Sequence, residues 1–401
     1  MHKLKKMKQT SLLLGAGFSV NQGYPIANEL NTKLIELHPE DFWVHTDGTV
    51  LFKARDKEDP CWYTSYAKVK FFIVRLIEFY VQLTGKIFNY EEFYDFYNEI
   101  YRQEKDIPEF NDFCAKFREE FHCDIDNHNL LSRTNKIFNQ LIAHFLVDKE
   151  GNRFYEPIHI GKPIFLGYTG FLNCLEHWGA EGIVHIHTLN HDIFFEIFNR
   201  SDWLQGNLCD GFSELGSPYY GNLEEKYKVR LPYFTNEYKK KYRLYKLHGS
   251  VDQFPFHIQN SGIEAYVKIK PGIGIKDLFK EVNTDGQLSY INDWINYHPD
   301  FLSGTTSKIL RYREPCYYEK IFTHFENNLK KSETLILVGY GCGDIEVNNL
   351  IEKNFDFKNK PVFVVDPFPT YRTTEFLKRF KGTLIQKNPD ELRIDDFKNE
   401  K

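Results

Sequence analysis

Short apolar runs, each closed by glycine or by a polar residue, constrain this chain more than any other feature. The runs cover residues 11–14, 182–188, 243–247, 334–338, 361–365 and, more weakly, 383–386. Apolar runs of this length, bounded by turn residues, are typical of buried parallel strands. The carboxyl ends of such strands meet at one edge of a sheet, where ligands bind. The pattern therefore predicts an α/β fold with a Rossmann-like doubly wound parallel sheet.

The first run leads directly into a glycine turn, Gly15-Ala16-Gly17-Phe18-Ser19, and a helix is expected from about Pro25. Strand, glycine turn and helix form the usual phosphate-binding opening of a nucleotide fold, in which helix amides face the anion. On this interpretation Gly15 permits the tight turn, Gly17 lets the backbone approach a pyrophosphate and Ser19 donates to a phosphate oxygen. The simpler alternative is a turn without a ligand. The turn lacks a Walker A lysine, which disfavours ATP hydrolysis.

Residues 40–165 have a different pattern, with aromatic-rich segments at helical spacing. We predict that they form a helical insertion or cap within a single domain of residues 1–401. Tyrosine-rich helices such as 90–101 suit oligomer contacts, although a role in the core alone is the simpler alternative.

Bulk properties exclude several classes of protein. The chain has 401 residues and a net charge of −5, from 51 Lys and Arg against 56 Asp and Glu, which disfavours electrostatic DNA binding. Basic clusters, among them residues 239–241, are expected to be solvated surface. No apolar run approaches the roughly 20 residues that span a bilayer, and no Cys-x-x-Cys spacing indicates zinc. We expect a cytoplasmic protein without membrane, metal or direct nucleic-acid contact.

Three polar residues close the second and third runs. Asn190 and Asp192 follow residues 182–188, and His248 follows residues 243–247. Asparagine can hold a ribose hydroxyl or a water, and histidine can act as a general base near neutral pH. The alternatives are a turn or helix cap for the Asn-x-Asp pair and a structural role for the histidine.

Taken in order, Gly-Ala-Gly-Phe-Ser, Thr-Leu-Asn-His-Asp and Leu-His-Gly-Ser resemble the three signature loops of sirtuins. Later segments, at 304–308, 339–344 and 365–367, resemble the bacterial sirtuin-like branch, so that the resemblance spans residues 11 to about 370. The four-cysteine zinc module of sirtuin deacylases is missing, and residues 25–28 read Pro-Ile-Ala-Asn in place of Pro-Asp-Phe-Arg. These departures argue against protein deacylation and favour the sirtuin-like NAD hydrolases of bacterial antiphage defence.

That resemblance implies NAD as substrate, with release of nicotinamide and ADP-ribose. It assigns Asn190 to the ribose or the attacking water, His248 to the general base and Asp192 to supporting the loop or the nicotinamide amide. It assigns the diphosphate and ribose to residues of the glycine turn, and the adenosine end to strand-end residues later in the chain. The first set is Gly15, Ala16, Gly17, Phe18 and Ser19, and the second is Gly339, Gly341, Asp344 and Asp366.

Such an activity must be gated, and the strand pattern leaves no room for a fused sensor domain. We therefore expect a homo-oligomer activated in trans, with a HerA-type ATPase as the leading candidate by analogy. A non-catalytic module that senses NAD or ADP-ribose is the main alternative, because it needs the glycine turn but not both Asn190 and His248. A deacylase and a nuclease fit less well, the first for its missing zinc module and the second for the acidic charge.

Overall fold

The computed structural model describes most of the chain. Its described residues are 7–44, 50–52, 65–146, 165, 167–223, 226–258, 262–270, 273–284, 287–291, 298–305 and 307–398. The strands are β1 (Lys8–Leu14), β2 (Trp43–Val44), β3 (Val50–Leu51), β4 (Gly182–Thr188), β5 (Leu208–Cys209), β6 (Gly211–Ser213), β7 (Tyr219–Leu223), β8 (Tyr227–Arg230), β9 (Tyr233–Glu237), β10 (Tyr242–Lys246), β11 (Gln253–Ile258), β12 (Gly262–Lys268), β13 (Ile273–Thr284), β14 (Gln287–Ile291), β15 (Thr334–Val338), β16 (Val362–Val365) and β17 (Thr383–Ile385).

The helices alternate with these strands over much of the chain. They are α1 (Ala27–Ile35), α2 (Ser65–Thr84), α3 (Tyr90–Tyr101), α4 (Pro108–Glu120), α5 (Asn127–Phe145), α6 (Thr169–Glu181), α7 (Phe194–Ile197), α8 (Ser307–Arg311), α9 (Tyr318–Lys331), α10 (Ile345–Asn354) and α11 (Tyr371–Phe380). In the part of the chain that the structure describes, no helix combines the length and apolarity that crossing a membrane requires.

A seven-stranded parallel sheet is the centre of the fold, with the order β17-β16-β15-β1-β4-β10-β5. The chain runs outward from β1 to β4 and β10, and later to β15 and β16 on the other side. Strand β1 is therefore the topological switch point, beside which open α/β sheets form their ligand crevice. The predicted α/β doubly wound sheet is confirmed, and its six predicted strands are all present.

Both faces of this sheet are buried, as the continuous apolar strands require. Leu12 and Leu14 of β1 pack on one face with α6 and the aromatic residues of α7. Leu13 points to the opposite face and packs with α9, α10 and α11. Strand alternation thus divides β1 between two cores and fixes its register in the sheet.

A third core lies beside the sheet, where α2 to α5 pack against β-structure from residues 219–301. Two four-stranded antiparallel sheets occur there, with the orders β11-β12-β9-β6 and β14-β13-β7-β8. The helices match the predicted helical segments of residues 40–165. Sequence analysis missed the antiparallel strands and the two-residue edge strand β5.

Candidate functional site

A cavity of about 590 Å³ opens at the carboxyl ends of β1, β4, β10 and β15. This volume is within the range of small-molecule sites. The strand ends supply one wall, and the start of α3, α8 and the start of α10 supply others. Among the predicted site residues, those that line the cavity are Gly15, Ala16, Asn190, Asp192, His248, Gly341 and Asp344. The fold and this cavity define an α/β protein with a ligand-sized site at its topological switch point.

The glycines of the first turn pack against the loop after β15. The amide of Gly17 donates to the carbonyl of Gly339 over 2.9 Å, and a Cβ on Gly17 would lie 2.9 Å from that oxygen. A Cβ on Gly15 would meet the same oxygen at 2.7 Å, and Gly339 has a φ of 60°. Gly17 and Gly339 are therefore required by the contact between two loops. Neither glycine lines the cavity, although we expected Gly17 to lie beside the pyrophosphate. A side chain at Gly17 would disrupt the contact between the two loops, so its effect would not be specific to nucleotide binding.

One amide in this turn is left for a ligand. The amides of Gly15, Gly17, Phe18 and Ser19 all donate to backbone carbonyls. The amide of Ala16, an exposed residue of the cavity wall, makes no hydrogen bond within the described residues. Ala16 is thus the position at which the turn can donate to an anion.

Phe18 and Ser19 do not face the cavity, although we expected both to contact the nucleotide. The ring of Phe18 is buried beneath the turn, 4.9 Å from the ring of Phe171 and 5.3 Å from that of Tyr168. The hydroxyl of Ser19 is also buried and donates to Oδ2 of Asp192 over 3.0 Å. Neither residue lines the cavity, because the turn directs one into the apolar core and the other towards the loop after β4.

The loop after β4 is held against the glycine turn by Asn190. Its Nδ2 donates to the carbonyl of Gly15 over 3.0 Å and to Oγ of Ser19 over 3.1 Å. No hydrogen bond to its amide oxygen occurs in the described part of the chain, which leaves that oxygen to accept from a ligand. Asp192 accepts the amide of Phe194 at Oδ1 over 2.9 Å, so both of its carboxylate oxygens have donors. Asp192 therefore stabilises the conformation of the loop after β4.

Buried lysines support this loop, and sequence analysis did not identify them. Lys246, at the end of β10, donates from Nζ to the carbonyl of Asp192 and lies 3.5 Å from Oε1 of Glu196. Lys268 lies 2.6 Å from Oδ2 of Asp210 and 3.4 Å from both Glu196 and Asp252. Both lysines are almost fully buried, so that their charges are compensated by these carboxylates. Strand sequences contain no signal for such a network, because its members are far apart in the chain.

His248 follows β10 and is buried, with 6% of its side chain exposed. Its Nε2 is enclosed and makes no hydrogen bond within the described residues, and it faces Oδ2 of Asp344 at 3.5 Å. Burial lowers the pKa of His248 well below 6.5, and the charges of Lys308 and His191 add to this effect. The imidazole is therefore neutral at physiological pH and can accept a proton.

His191 also lines the cavity, between Asn190 and Asp192. Its ring lies 6.3 Å from that of His248, and burial lowers its pKa to about 3. The sequence pattern gave no indication of a role for this residue.

The two predicted acidic contacts to adenosine have other partners. Asp344 caps α10 by accepting the amide of Val347 at Oδ1 over 3.1 Å, and its Oδ2 lies 2.7 Å from Nζ of Lys308. Asp366 accepts from the amide of Phe368 and the hydroxyl of Thr373, both over 3.0 Å, and does not line the cavity. The carboxylate of Asp366 therefore stabilises the local turn through these hydrogen bonds and lies outside the site.

Gly341 is the glycine of this region that faces open space. No described atom lies within 4 Å of a Cβ built on it, and it lines the cavity close to Gly343 and Arg372. A Cβ at Gly341 therefore has room beside the cavity without a clash with the described residues.

The first turn of α3 forms the wall opposite the strand ends. Its lining residues are Asn89, Tyr90, Glu91 and Glu92. Asn89 caps α3 by accepting the amides of Glu91 and Glu92 over 2.9 and 3.1 Å. Burial raises the pKa of Glu91, which faces Lys308 and Asp344. Helical periodicity predicted α3 but could not indicate that its first turn would contact the site.

No protein-family model and no curated protein matches this chain. Solved structures similar to it include one concerning the mechanism and regulation of Sir2 enzymes, with a TM-score of 0.36 and 12% identity, covering 98% of this chain and 92% of that one. A Sir2 homologue–NAD complex has a TM-score of 0.38 and 8% identity, covering 98% and 88%. Sir2 bound to an acetylated peptide has a TM-score of 0.33 and 10% identity, covering 96% and 90%.

Proposed function

We propose that this chain binds NAD in the cavity and hydrolyses the bond between nicotinamide and ribose. The observation that carries the proposal is the meeting of Asn190 and His248 in one cavity beside the Ala16 amide. These residues supply a carbonyl acceptor, a neutral imidazole and an anion donor. Hydrolysis of an N-glycosidic bond needs groups of these kinds, to orient the ribose, take up a proton and hold the diphosphate.

The reaction balances without an added cofactor. The bond between C1′ of the ribose and the pyridinium nitrogen breaks, and its electron pair goes to nitrogen, so that nicotinamide departs as a neutral molecule. Positive charge develops on the ribose, and water attacks C1′ from the opposite face. The proton of that water passes to His248, while Asn190 holds the water or a ribose hydroxyl through its amide oxygen. The products are nicotinamide, ADP-ribose and one proton.

The cavity suggests one orientation for NAD. We place the nicotinamide ribose near Asn190 and His248, and the diphosphate at the Ala16 amide. The adenosine end would then extend towards Gly341 and Arg372, which line the cavity on the β15 side. Asp192 holds the loop and does not touch the nucleotide in this arrangement, since Ser19 and the Phe194 amide occupy its carboxylate.

We further propose that residues 40–165 cap the site within a single domain of residues 1–401. The first turn of α3 closes one side of the cavity, so that movement of this region would change access to NAD. By resemblance to sirtuin-like defence proteins, we propose a cytoplasmic homo-oligomer that depletes NAD during antiphage defence when a HerA-type ATPase activates it.

The direct test is nicotinamide release from NAD by the purified chain, alone and with the product of the neighbouring gene. Release that requires Asn190 would support hydrolysis. NAD binding without release under either condition would instead support a sensing module.

A further inference from the structure

Three charged or polarisable side chains from different elements meet in the wall of the cavity. Asp344 precedes α10, Lys308 lies on α8 and His248 follows β10. Oδ2 of Asp344 lies 2.7 Å from Nζ of Lys308 and 3.5 Å from Nε2 of His248. The exposed fractions of these side chains are 8%, 6% and 6%, so bulk water screens their interactions little.

The Nε2 atom of His248 is the ring nitrogen that faces the carboxylate of Asp344. In a neutral imidazole one nitrogen carries the proton and the other accepts. Two unprotonated acceptors facing each other at Nε2 and Oδ2 would repel, whereas an Nε2 proton would be attracted by the carboxylate. The adjacent carboxylate therefore favours the tautomer protonated at Nε2, which leaves Nδ1 as the basic atom. Hydrogen bonds of this kind are often long before substrate binds and shorten in the reacting complex.

We infer that Asp344, held by Lys308, is the positioning residue that orients His248 and stabilises the imidazolium formed during catalysis. This inference rests on the proposed NAD hydrolysis. The proton of the attacking water moves to Nδ1 of His248, and the ring then carries a positive charge whose Nε2–H donates to Asp344. In the same reaction the bond between C1′ and the pyridinium nitrogen breaks and the water oxygen bonds to C1′, and the proton leaves His248 for solvent once ADP-ribose has formed.

Lys308 sets the strength of this arrangement. Its charge is compensated by Asp344 and by Glu91, the carboxylate that faces the pair from α3. Within the described part of the chain, His191 is a further titratable group that faces His248. Lys308 opposes protonation of His248, and Asp344 favours it. Removal of the lysine should therefore raise the pKa of His248, whereas removal of the aspartate should lower it.

The chain allows conservative substitutions. Asp344→Asn retains an oxygen that can cap α10, since asparagine is as good an N-cap as aspartate. Lys308→Met keeps most of the buried stem and removes the charge. Glu352→Gln, on the exposed face of α10 and paired with Arg379, is the matched control because it removes a carboxylate far from the cavity.

The test is 15N NMR of histidine-labelled full-length protein, with His248 assigned by loss of its signals in His248→Gln. The wild type should show Nε2 protonated, and Asp344→Asn should move the proton to Nδ1. Lys308→Met should raise the titration midpoint of His248 by about one pH unit or more. Glu352→Gln should change neither. A wild-type ring protonated at Nδ1, or an unchanged tautomer in Asp344→Asn, would overturn the inference.

Turnover gives the second readout. Asp344→Asn should lower kcat for nicotinamide release by ~100-fold or more, as the same change behind a catalytic histidine does in serine proteases. The Kd of NAD should change less than about threefold, because the positioning residue acts through the imidazole. Normal kcat in this variant would contradict the inference. Because the NMR result needs no turnover, a wild type with the expected tautomer but no nicotinamide release would refute the proposed function and leave the His248–Asp344 pair established.

Discussion

The hydroxyl of Ser19 donates a hydrogen bond of 3.0 Å to Oδ2 of Asp192, and so joins the glycine turn to the loop after β4. The same hydroxyl accepts a hydrogen bond of 3.1 Å from Nδ2 of Asn190. The two sequence motifs, a glycine turn and an Asn-x-Asp loop, are thus parts of one hydrogen-bonded unit.

Ser19→Ala should therefore act through the loop and not through lost contact with phosphate. It leaves a buried carboxylate oxygen without its donor, which costs about 1–3 kcal/mol in the free energy of unfolding. We expect kcat for nicotinamide release to fall about tenfold, with a smaller change in KM. Urea unfolding and steady-state kinetics measure the two effects. Ser213→Ala, at a less buried turn on β6, is the control, and equal stability of the two variants would contradict the prediction.

Gly341→Val and Gly17→Val should fail for different reasons. A Cβ at Gly341 has no described atom within 4 Å, so this variant should fold normally and lose NAD affinity about tenfold or more through overlap with the ligand. A side chain at Gly17 collides with the backbone of Gly339 and should lower the melting temperature. Differential scanning fluorimetry and calorimetric NAD titration separate the two effects. Normal NAD affinity in Gly341→Val would place the nucleotide elsewhere.

The charge of the cavity predicts discrimination against NADP. Among the described residues that line the cavity, five carboxylates face two cations, Lys308 and Arg372; the carboxylates are Glu91, Glu92, Asp192, Asp344 and Glu346. The additional phosphate of NADP adds negative charge to this site, so NAD should bind at least ~10-fold more tightly. Titration of both nucleotides into Asn190→Ala avoids turnover during the measurement. Equal affinities, or tighter binding of NADP, would show that the additional phosphate does not bind near these carboxylates.

Lys268→Met should destabilise the fold more than an ordinary lysine substitution. Three carboxylates, Asp210, Asp252 and Glu196, lose their shared cation in a buried position, for which about 3–5 kcal/mol is expected. The matched control is Lys270→Met, whose partner Glu214 is largely exposed and which should cost about 1 kcal/mol or less. Chemical denaturation of both variants measures the difference, and equal losses would contradict a buried network.

Acid should destabilise the protein through buried histidines. Burial lowers the pKa of His185 and His191 to about 3 and that of His298 to about 4, and it also lowers those of His187 and His248. The unfolded chain binds these protons below about pH 6.5 and the native chain does not, so stability is full above that pH. It then falls by up to about 1.4 kcal/mol per histidine for each further pH unit, until the folded pKa is reached.

Two buried carboxyls act in the opposite sense. Burial raises the pKa of Glu91 and Glu196, which favours the folded state in acid. Among the described residues, these five buried histidines and the half-buried His324, whose pKa is also lowered by burial, oppose the two carboxyls, so we expect the melting temperature to fall from pH 7.5 to pH 5.5. A melting temperature that is constant or rises over this interval would contradict the assigned neutral histidines.

The sequence alone predicted the sheet because each inner strand is a continuous apolar run ended by a polar residue or glycine. The same pattern predicted that Asn190 and His248 lie at one edge of the sheet, because the carboxyl ends of parallel strands are at the same edge. It could not place Phe18 and Ser19, because residues in a turn can face the core or the cavity with the same local sequence. The sequence also gave no indication of a functional role for Lys308, because its contact with Asp344 joins segments that are distant in the chain. Edge strand β5 has only two residues and no periodicity to detect.

The most direct test of the account is nicotinamide release from NAD, measured chromatographically for the wild type, Asn190→Ala and His248→Ala, each with and without the neighbouring gene's product. His177→Ala is the control, as this histidine is exposed on α6, away from the cavity. The account predicts release by the wild type and the control, and a loss of ~100-fold or more in both cavity variants. Release at the wild-type rate by purified Asn190→Ala and His248→Ala would contradict it.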